Sequence, residues 1–151
     1  MQIVDAVTPH QIGQVRVLFS EYWKTFGFTP CFQGFGGELA ALPGDYERIW
    51  LAIEAGEAAG CVAIRRLDAD RAEFKRLYVR PKFRGTGLGR QLLTEVMAAA
   101  RAWGCRELLC DTMPVMADAL AMYQRHGFAI VGPYTDKATA GAIYLKLTLE
   151  S

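Results

Sequence analysis

The chain has 151 residues, 52% of them hydrophobic and 22% charged, with a net charge of +1. That length buries a core and points to one domain over 1–151, and the near-neutral balance removes any bulk electrostatic case for nucleic acid or an anionic membrane. No apolar run reaches the roughly 18 residues that span a bilayer, and no basic stretch followed by an apolar one opens the chain, so the expectation is a cytoplasmic globular protein.

In chain order, residues 2–7 read as a first strand. Thr8 then caps a helix to about Phe26, with Ile12, Val15, Leu18, Phe19 and Tyr22 at helical spacing. Residues 27–37 hold too many glycines and a proline to be regular structure for long. A short helix near 37–42 is stopped by Pro43-Gly44. Strands follow near 48–54 and 58–66, joined by a turn at Gly56. Asp68 to Arg71 make the next turn, and a fourth strand covers Glu73 to Val79. A helix then carries Leu88, Leu92, Leu93, Val96, Met97, Ala100 and Trp103 on one apolar stripe, with Gly104 as its stop. Residues 106–111 are a fifth strand, Pro114 opens a helix ending at His126-Gly127, and strands near 128–134 and 142–149 finish the chain. The order β-α-α-β-β-β-α-β-α-β-β is that of an α+β protein, a mixed α/β sheet with helices on both faces.

Four cysteines stand at 31, 61, 105 and 110 with no Cys-x-x-Cys pair, and only two histidines accompany them, so no metal site is expected. Cys61 and Cys110 lie in apolar strands and read as small core residues. Neither histidine stands near a matched serine, which leaves a hydrolase triad without support.

The richest segment is Val79-Arg80-Pro81-Lys82-Phe83-Arg84-Gly85-Thr86-Gly87-Leu88-Gly89-Arg90, between a strand and an amphipathic helix. Its glycines let backbone amides approach a ligand, and the first amides of a helix lack partners and carry the positive end of the dipole. Such a construction binds anions, phosphates above all. A Walker loop would need Lys-Ser/Thr after Gly89, where Arg90-Gln91 stand, so a nucleotidase is disfavoured. A dinucleotide fingerprint would need glycine at Arg90. What does fit is Arg-x-x-Gly-x-Gly at Arg84, Gly87 and Gly89.

That pattern, framed by Leu77-Tyr78-Val79-x-Pro81, resembles the acyl-coenzyme A pyrophosphate loop of the GNAT superfamily of N-acetyltransferases. A second signature of that family, Ala-x-x-x-Tyr-x-Lys/Arg-x-Gly-Phe, is matched in full by Ala119 to Phe128. The resemblance covers 47–149 well and the N-terminal part loosely. It implies a central, mostly antiparallel twisted sheet of about six to seven strands, acetyl-CoA as acyl donor, and an amine acceptor. It implies that Arg84 and the amides of Gly85, Thr86, Gly87, Leu88, Gly89 and Arg90 hold the pyrophosphate. Leu77, Tyr78 and Val79 would pair their backbone with the pantetheine arm, leaving one amide to polarise the thioester carbonyl. One departure stands at Met116, where many members carry asparagine toward the cofactor.

Amine acetylation needs a proton acceptor, because at pH 7 the neutral form of a lysine-like amine costs roughly 4–5 kcal/mol. Glu73, eleven residues before Arg84, is where some members hold a catalytic glutamate. It is the candidate base, or else a solvated strand-edge carboxylate. Tyr123 of the second signature is the candidate acid for the departing thiolate, or else a core aromatic. The aromatic-rich stretch between Trp23 and Trp50 suits an acceptor pocket, with Phe28, Phe32, Gln33 and Glu38 as its candidates, though half of its aromatics also suit a core. Glu38 fits a plain short-helix surface residue equally.

The leading expectation is therefore an N-acetyltransferase acting on a small primary amine. A protein or peptide acetyltransferase and a non-catalytic acyl-CoA sensor are the alternatives. The strand at 142–149 could pair across a dimer, and related enzymes are often homodimers.

Overall fold

The computed structural model describes residues 1–25, 35–135 and 141–149. Among them, seven strands form one sheet in the order β1-β2-β3-β4-β5-β7-β6. In chain order the elements are β1 (Gln2–Asp5), α1 (Pro9–Thr25), α2 (Phe35–Ala41), β2 (Arg48–Glu54), β3 (Glu57–Arg66), β4 (Arg71–Val79), α3 (Leu88–Ala102), β5 (Glu107–Thr112), α4 (Ala117–Arg125), β6 (Ala129–Val131) and β7 (Ile143–Thr148). The sheet is mixed: β4 and β5 pair in parallel, whereas β1–β2, β2–β3, β5–β7 and β6–β7 are antiparallel.

The chain divides into two compact units, Met1–Arg65 with Arg76–Val96, and Arg66–Lys75 with Met97–Ser151. In the first, Val15, Leu18, Phe19, Tyr22 and Trp23 form the buried face of α1. Its start is a reciprocal cap: the Gln11 amide donates to Thr8 Oγ1, and the Thr8 and Val7 amides donate to Gln11 Oε1. That cap turns the chain at Val7, so β1 ends at Asp5, two residues short of the expected span. The β2–β3 hairpin closes on Ala55 (φ 51°) and Gly56 (φ 79°), the left-handed pair that suits the twist of a two-residue loop.

A close backbone approach stands at Gly60 of β3. A Cβ built there would lie 2.7 Å from the Tyr78 carbonyl oxygen, 3.3 Å from Leu88 Cδ2 and 3.4 Å from Leu92 Cδ1. The missing side chain thus sets how tightly β4 and the first turns of α3 seat against β3.

In the second unit, the parallel ladder joins Arg71–Glu73 to Glu107–Leu109. Asp68 Oδ1 accepts from the amides of Asp70 and Arg71 and shapes the preceding turn. It starts β4 at Arg71, two residues earlier than the sequence reading. β5 pairs with β7 along its whole length. β6 is only three residues, because Gly132-Pro133 follows it and proline brings no N–H to a ladder. α4 begins at Ala117 rather than near Pro114, after a turn in which the Met116 amide donates to the Met113 carbonyl. Cys61 and Cys110 are fully buried, as small core residues are.

Gly60→Ala drives a Cβ into a backbone oxygen that cannot rotate away. It should lower stability by about 1–3 kcal/mol by pushing the Tyr78 backbone away from β3. Thermal melts check this; a wild-type melting temperature would contradict it.

Candidate active site

The loop after β4 has the features of an anion-binding loop. A single 3-10 turn, Pro81–Phe83, leads to Arg84, whose Nε donates to the Val79 carbonyl at 3.0 Å. Thr86 Oγ1 donates to the Phe83 carbonyl at 2.7 Å and closes the loop. Gly85 and Gly87 take φ of 79° and 85°, where side chains are strained, and nothing lies within 4 Å of a Cβ at either. Here glycine answers to backbone conformation, not to packing. A left-handed Gly87 followed by helical Leu88 aims successive amides the same way, the arrangement that binds anions. The first amide of α3 with an intrahelical acceptor is that of Gln91, which donates to Gly87 at 3.1 Å. The amides from Thr86 to Arg90 find no acceptor among the described residues, and the side chain of Arg90 and the terminal nitrogens of Arg84 find no acceptor there either. Open amides, two exposed guanidinium groups and a helix N-terminus fit a pyrophosphate.

The end of β4 is anchored to α1. Arg80 grips Glu21 with Nε (3.0 Å) and Nη2 (2.7 Å), and Tyr78 OH donates to the same carboxylate. Just before, Arg76 takes φ 60°, a left-handed residue in mid-strand that is not glycine. Such a residue re-aims a strand and persists only where its surroundings hold it. Those surroundings are specific. Arg76 Nε and Nη2 donate to the two oxygens of Glu38 at 3.0 and 2.9 Å. Its guanidinium lies 4.4 Å from the ring centre of Trp23. Tyr46 OH donates to Glu38 at 2.6 Å. Burial pushes the Glu38 carboxyl up, but the Arg76 charge and hydrogen bonds outweigh it and leave the group below its ordinary 4.5.

In the second unit, Glu73 is 2% exposed. Tyr134 OH donates to its Oε2 at 2.5 Å, and Lys75 Nζ stands 3.8 Å from that oxygen. Lys75 also reaches Asp111 Oδ1 on β5, at 3.5 Å. The Tyr134 ring meets Tyr144 of β7 edge-on, with centroids 5.3 Å apart. Neighbouring Phe74 points to the opposite face of β4, where it meets Tyr123 of α4 and Phe128 edge-on at 5.4 and 5.9 Å. The candidate acid and the candidate base therefore stand on opposite faces of β4.

Of the residues singled out in the sequence, the loop from Arg84 to Arg90 forms one cradle. Glu73 is buried, not solvated at a strand edge. Tyr123 lies within an aromatic cluster. Glu38 is engaged inside an ion pair rather than standing on an open helix surface. Phe28, Phe32, Gln33 and Cys31 lie outside the described residues. Sequence reasoning missed Lys75, Arg76, Asp111 and Tyr134. Two-residue spacing on a strand could have flagged Lys75 beside Glu73; nothing local signals Tyr134, 61 positions away.

Residues 15–128 match the model of the acetyltransferase (GNAT) family. An uncharacterised N-acetyltransferase of Schizosaccharomyces pombe is 31% identical over 147 residues, covering 93% of this chain and 90% of that protein. An aminoglycoside N(6')-acetyltransferase type 1 of Stenotrophomonas maltophilia is 36% identical over 73 residues, 48% of this chain and 42% of that protein. The fold matches the crystal structure of an acetyltransferase from Streptococcus agalactiae, with a TM-score of 0.83 at 21% identity over 98% of both chains. The chain belongs to the GNAT acetyltransferase family, the acyl-CoA-dependent transferases that take acetyl-CoA as donor.

Two outcomes test the Arg76 kink. Arg76→Gly and Arg76→Ala lose the same contacts, but only glycine relieves the left-handed strain, so the glycine variant should be more stable by about 1 kcal/mol. The opposite order in denaturant melts would mean the kink relaxes without the side chain. Because the folded-state Glu38 carboxyl ionises below its ordinary value, its contribution is fully present above about pH 4.5 and fades as pH falls through the folded-state value. Glu38→Gln should therefore flatten the acid side of the stability–pH curve; an unchanged slope would contradict the pairing.

Proposed function

We propose that this protein transfers the acetyl group of acetyl-CoA to a primary amine of a small molecule, by direct attack of the amine. The observation that carries the donor side is the row of amides from Thr86 to Arg90 that find no acceptor among the described residues, flanked by Arg84. These groups would hold the pyrophosphate, and the backbone of Leu77, Tyr78 and Val79 would pair with the pantetheine arm as an added strand. Acetyl-CoA supplies the activated acetyl thioester. Everything else falls to this chain: to fix the amine, take its proton and supply one to the leaving sulfur.

Glu73 is the proposed base. It is the buried carboxylate of the Lys75–Asp111–Tyr134 cluster, with a hydroxyl on Oε2 and an ammonium nearby. Glu38 is a poor base by comparison, since Arg76 occupies both of its oxygens and holds its proton affinity down. Its part in acceptor binding would be to hold α2 and the aromatic wall in position. Tyr123 is the proposed acid on the strength of the family signature; its ring packs against Phe74 and Phe128 on the face of β4 opposite Glu73. Phe28, Phe32 and Gln33 are the proposed acceptor contacts. The small-molecule reading is supported by the relative named as an aminoglycoside acetyltransferase.

Free-thiol release from acetyl-CoA, measured against amines, polyamines, aminoglycosides and short peptides, tests the reading. Release that depends on one small-amine class is expected. Release with peptides alone would make this a protein acetyltransferase, and tight binding without acceptor-dependent release would make it a sensor. Glu73→Gln should lower kcat by about 10²–10⁴-fold near neutral pH, with the deficit narrowing toward the amine's own pKa of about 10. Tyr123→Phe should lower kcat while leaving acetyl-CoA affinity intact. Wild-type turnover in either variant would remove that residue from its role.

A further inference from the structure

We propose that Glu38 is a positioning residue for the acetyl donor: through Arg76 it sets the course on which β4 enters Leu77–Val79. The inference rests on reading that span as the partner of the pantetheine arm. It gives the Glu38–Arg76 ion pair a task beyond holding α2.

The span from Leu77 to Val79 is fixed at both ends. At its far end the Arg80 amide donates to the Ala59 carbonyl of β3, and the Arg80 side chain grips Glu21 of α1 and the Ala58 carbonyl. At its near end stands Arg76, the left-handed residue with φ 60°. A change of φ at one residue swings everything that follows it. The direction of the next three residues therefore depends on what keeps Arg76 in that conformation. The conformation is costly for any residue with a Cβ, and glycine alone escapes the cost.

The support comes from α2. Both Glu38 oxygens accept from the Arg76 fork, which fixes the plane of the guanidinium as well as its position. Tyr46 OH donates to Oε1 of the same carboxylate at 2.6 Å, and its ring meets Phe19 of α1 edge-on, with centroids 6.0 Å apart. Burial pushes the Tyr46 hydroxyl above its ordinary range, so it stays a donor. Trp23 covers the guanidinium at 4.4 Å, and the Cys61 thiol of β3 donates to the Arg76 carbonyl at 3.5 Å. Arg76 is 8% exposed, so water is a poor substitute for the carboxylate. Without the Glu38 charge the left-handed residue loses its main support, and β4 presents Leu77–Val79 along a different line. A hydrogen-bonded strand edge tolerates little such misdirection.

The test is calorimetric titration of Glu38→Gln with two probes: coenzyme A, and phosphoadenosine diphosphate, which keeps the pyrophosphate and lacks the arm. Coenzyme A should bind about tenfold more weakly than it binds the wild type, the scale of a hydrogen bond or two, while the nucleotide binds as before. Arg76→Lys, which keeps a charge but not the fork, should show the same loss confined to the arm. In an Arg76→Gly background, where the left-handed turn needs no side-chain support, Glu38→Gln should cost no further coenzyme A affinity. Wild-type coenzyme A affinity in a folded Glu38→Gln or Arg76→Lys protein would overturn the role. Equal losses for both probes would overturn it too, as would a second tenfold loss in the glycine background. A wild-type protein that binds coenzyme A no more tightly than the nucleotide would instead remove Leu77–Val79 as partner of the arm, and the role of Glu38 would fall with that reading.

Discussion

The proposed chemistry depends first on the amides at the head of α3. A helix of fifteen residues leaves its first amides without internal partners, and here neither a capping side chain nor another segment among the described residues takes them up. Elsewhere the same chain closes a helix start carefully, with the reciprocal Thr8–Gln11 cap of α1. One start left open while another is closed is the arrangement the proposed pyrophosphate site requires. The position of that start is set by packing: Leu88 and Leu92 seat against Gly60 of β3, and the Tyr78 carbonyl comes so near that no Cβ would fit. A glycine in β3 thus fixes where the loop meets the end of β4.

Two carboxylates, Glu73 buried and Glu38 half-buried, show how similar groups acquire different chemistry. Glu38 is saturated by a bidentate guanidinium and a phenol, and that pairing holds a strained left-handed residue in mid-strand. Its energy goes into shape. Glu73 accepts a hydroxyl on one oxygen and has an ammonium at 3.8 Å. The division follows from neighbours, not from residue type, and it favours Glu73 as the acid–base group.

Much of this was legible in the sequence where the signal is local. The apolar stripe of α3, the glycine loop, the Thr8 cap and the order of elements are all patterns within a dozen residues, and the structure has each of them. Boundaries shifted by two or three residues where a side chain set them: Gln11 ended β1, Asp68 started β4, and Pro133 cut β6 short. What escaped were contacts between distant segments. Glu38 and Arg76 are 38 positions apart, and Glu73 and Tyr134 are 61. No spacing rule joins such pairs; only the folded sheet does. The left-handed Arg76 was equally hidden, because the usual mark of that conformation is glycine.

The most direct measurement of the central claim compares the affinities of coenzyme A and pantetheine by calorimetric titration at fixed ionic strength. If the open amides of α3 and Arg84 hold the pyrophosphate, removing the nucleotide diphosphate half should cost at least a hundredfold in affinity, and raising the salt should weaken coenzyme A far more than pantetheine. Equal affinities for the two, insensitive to salt, would mean that the loop holds no phosphate.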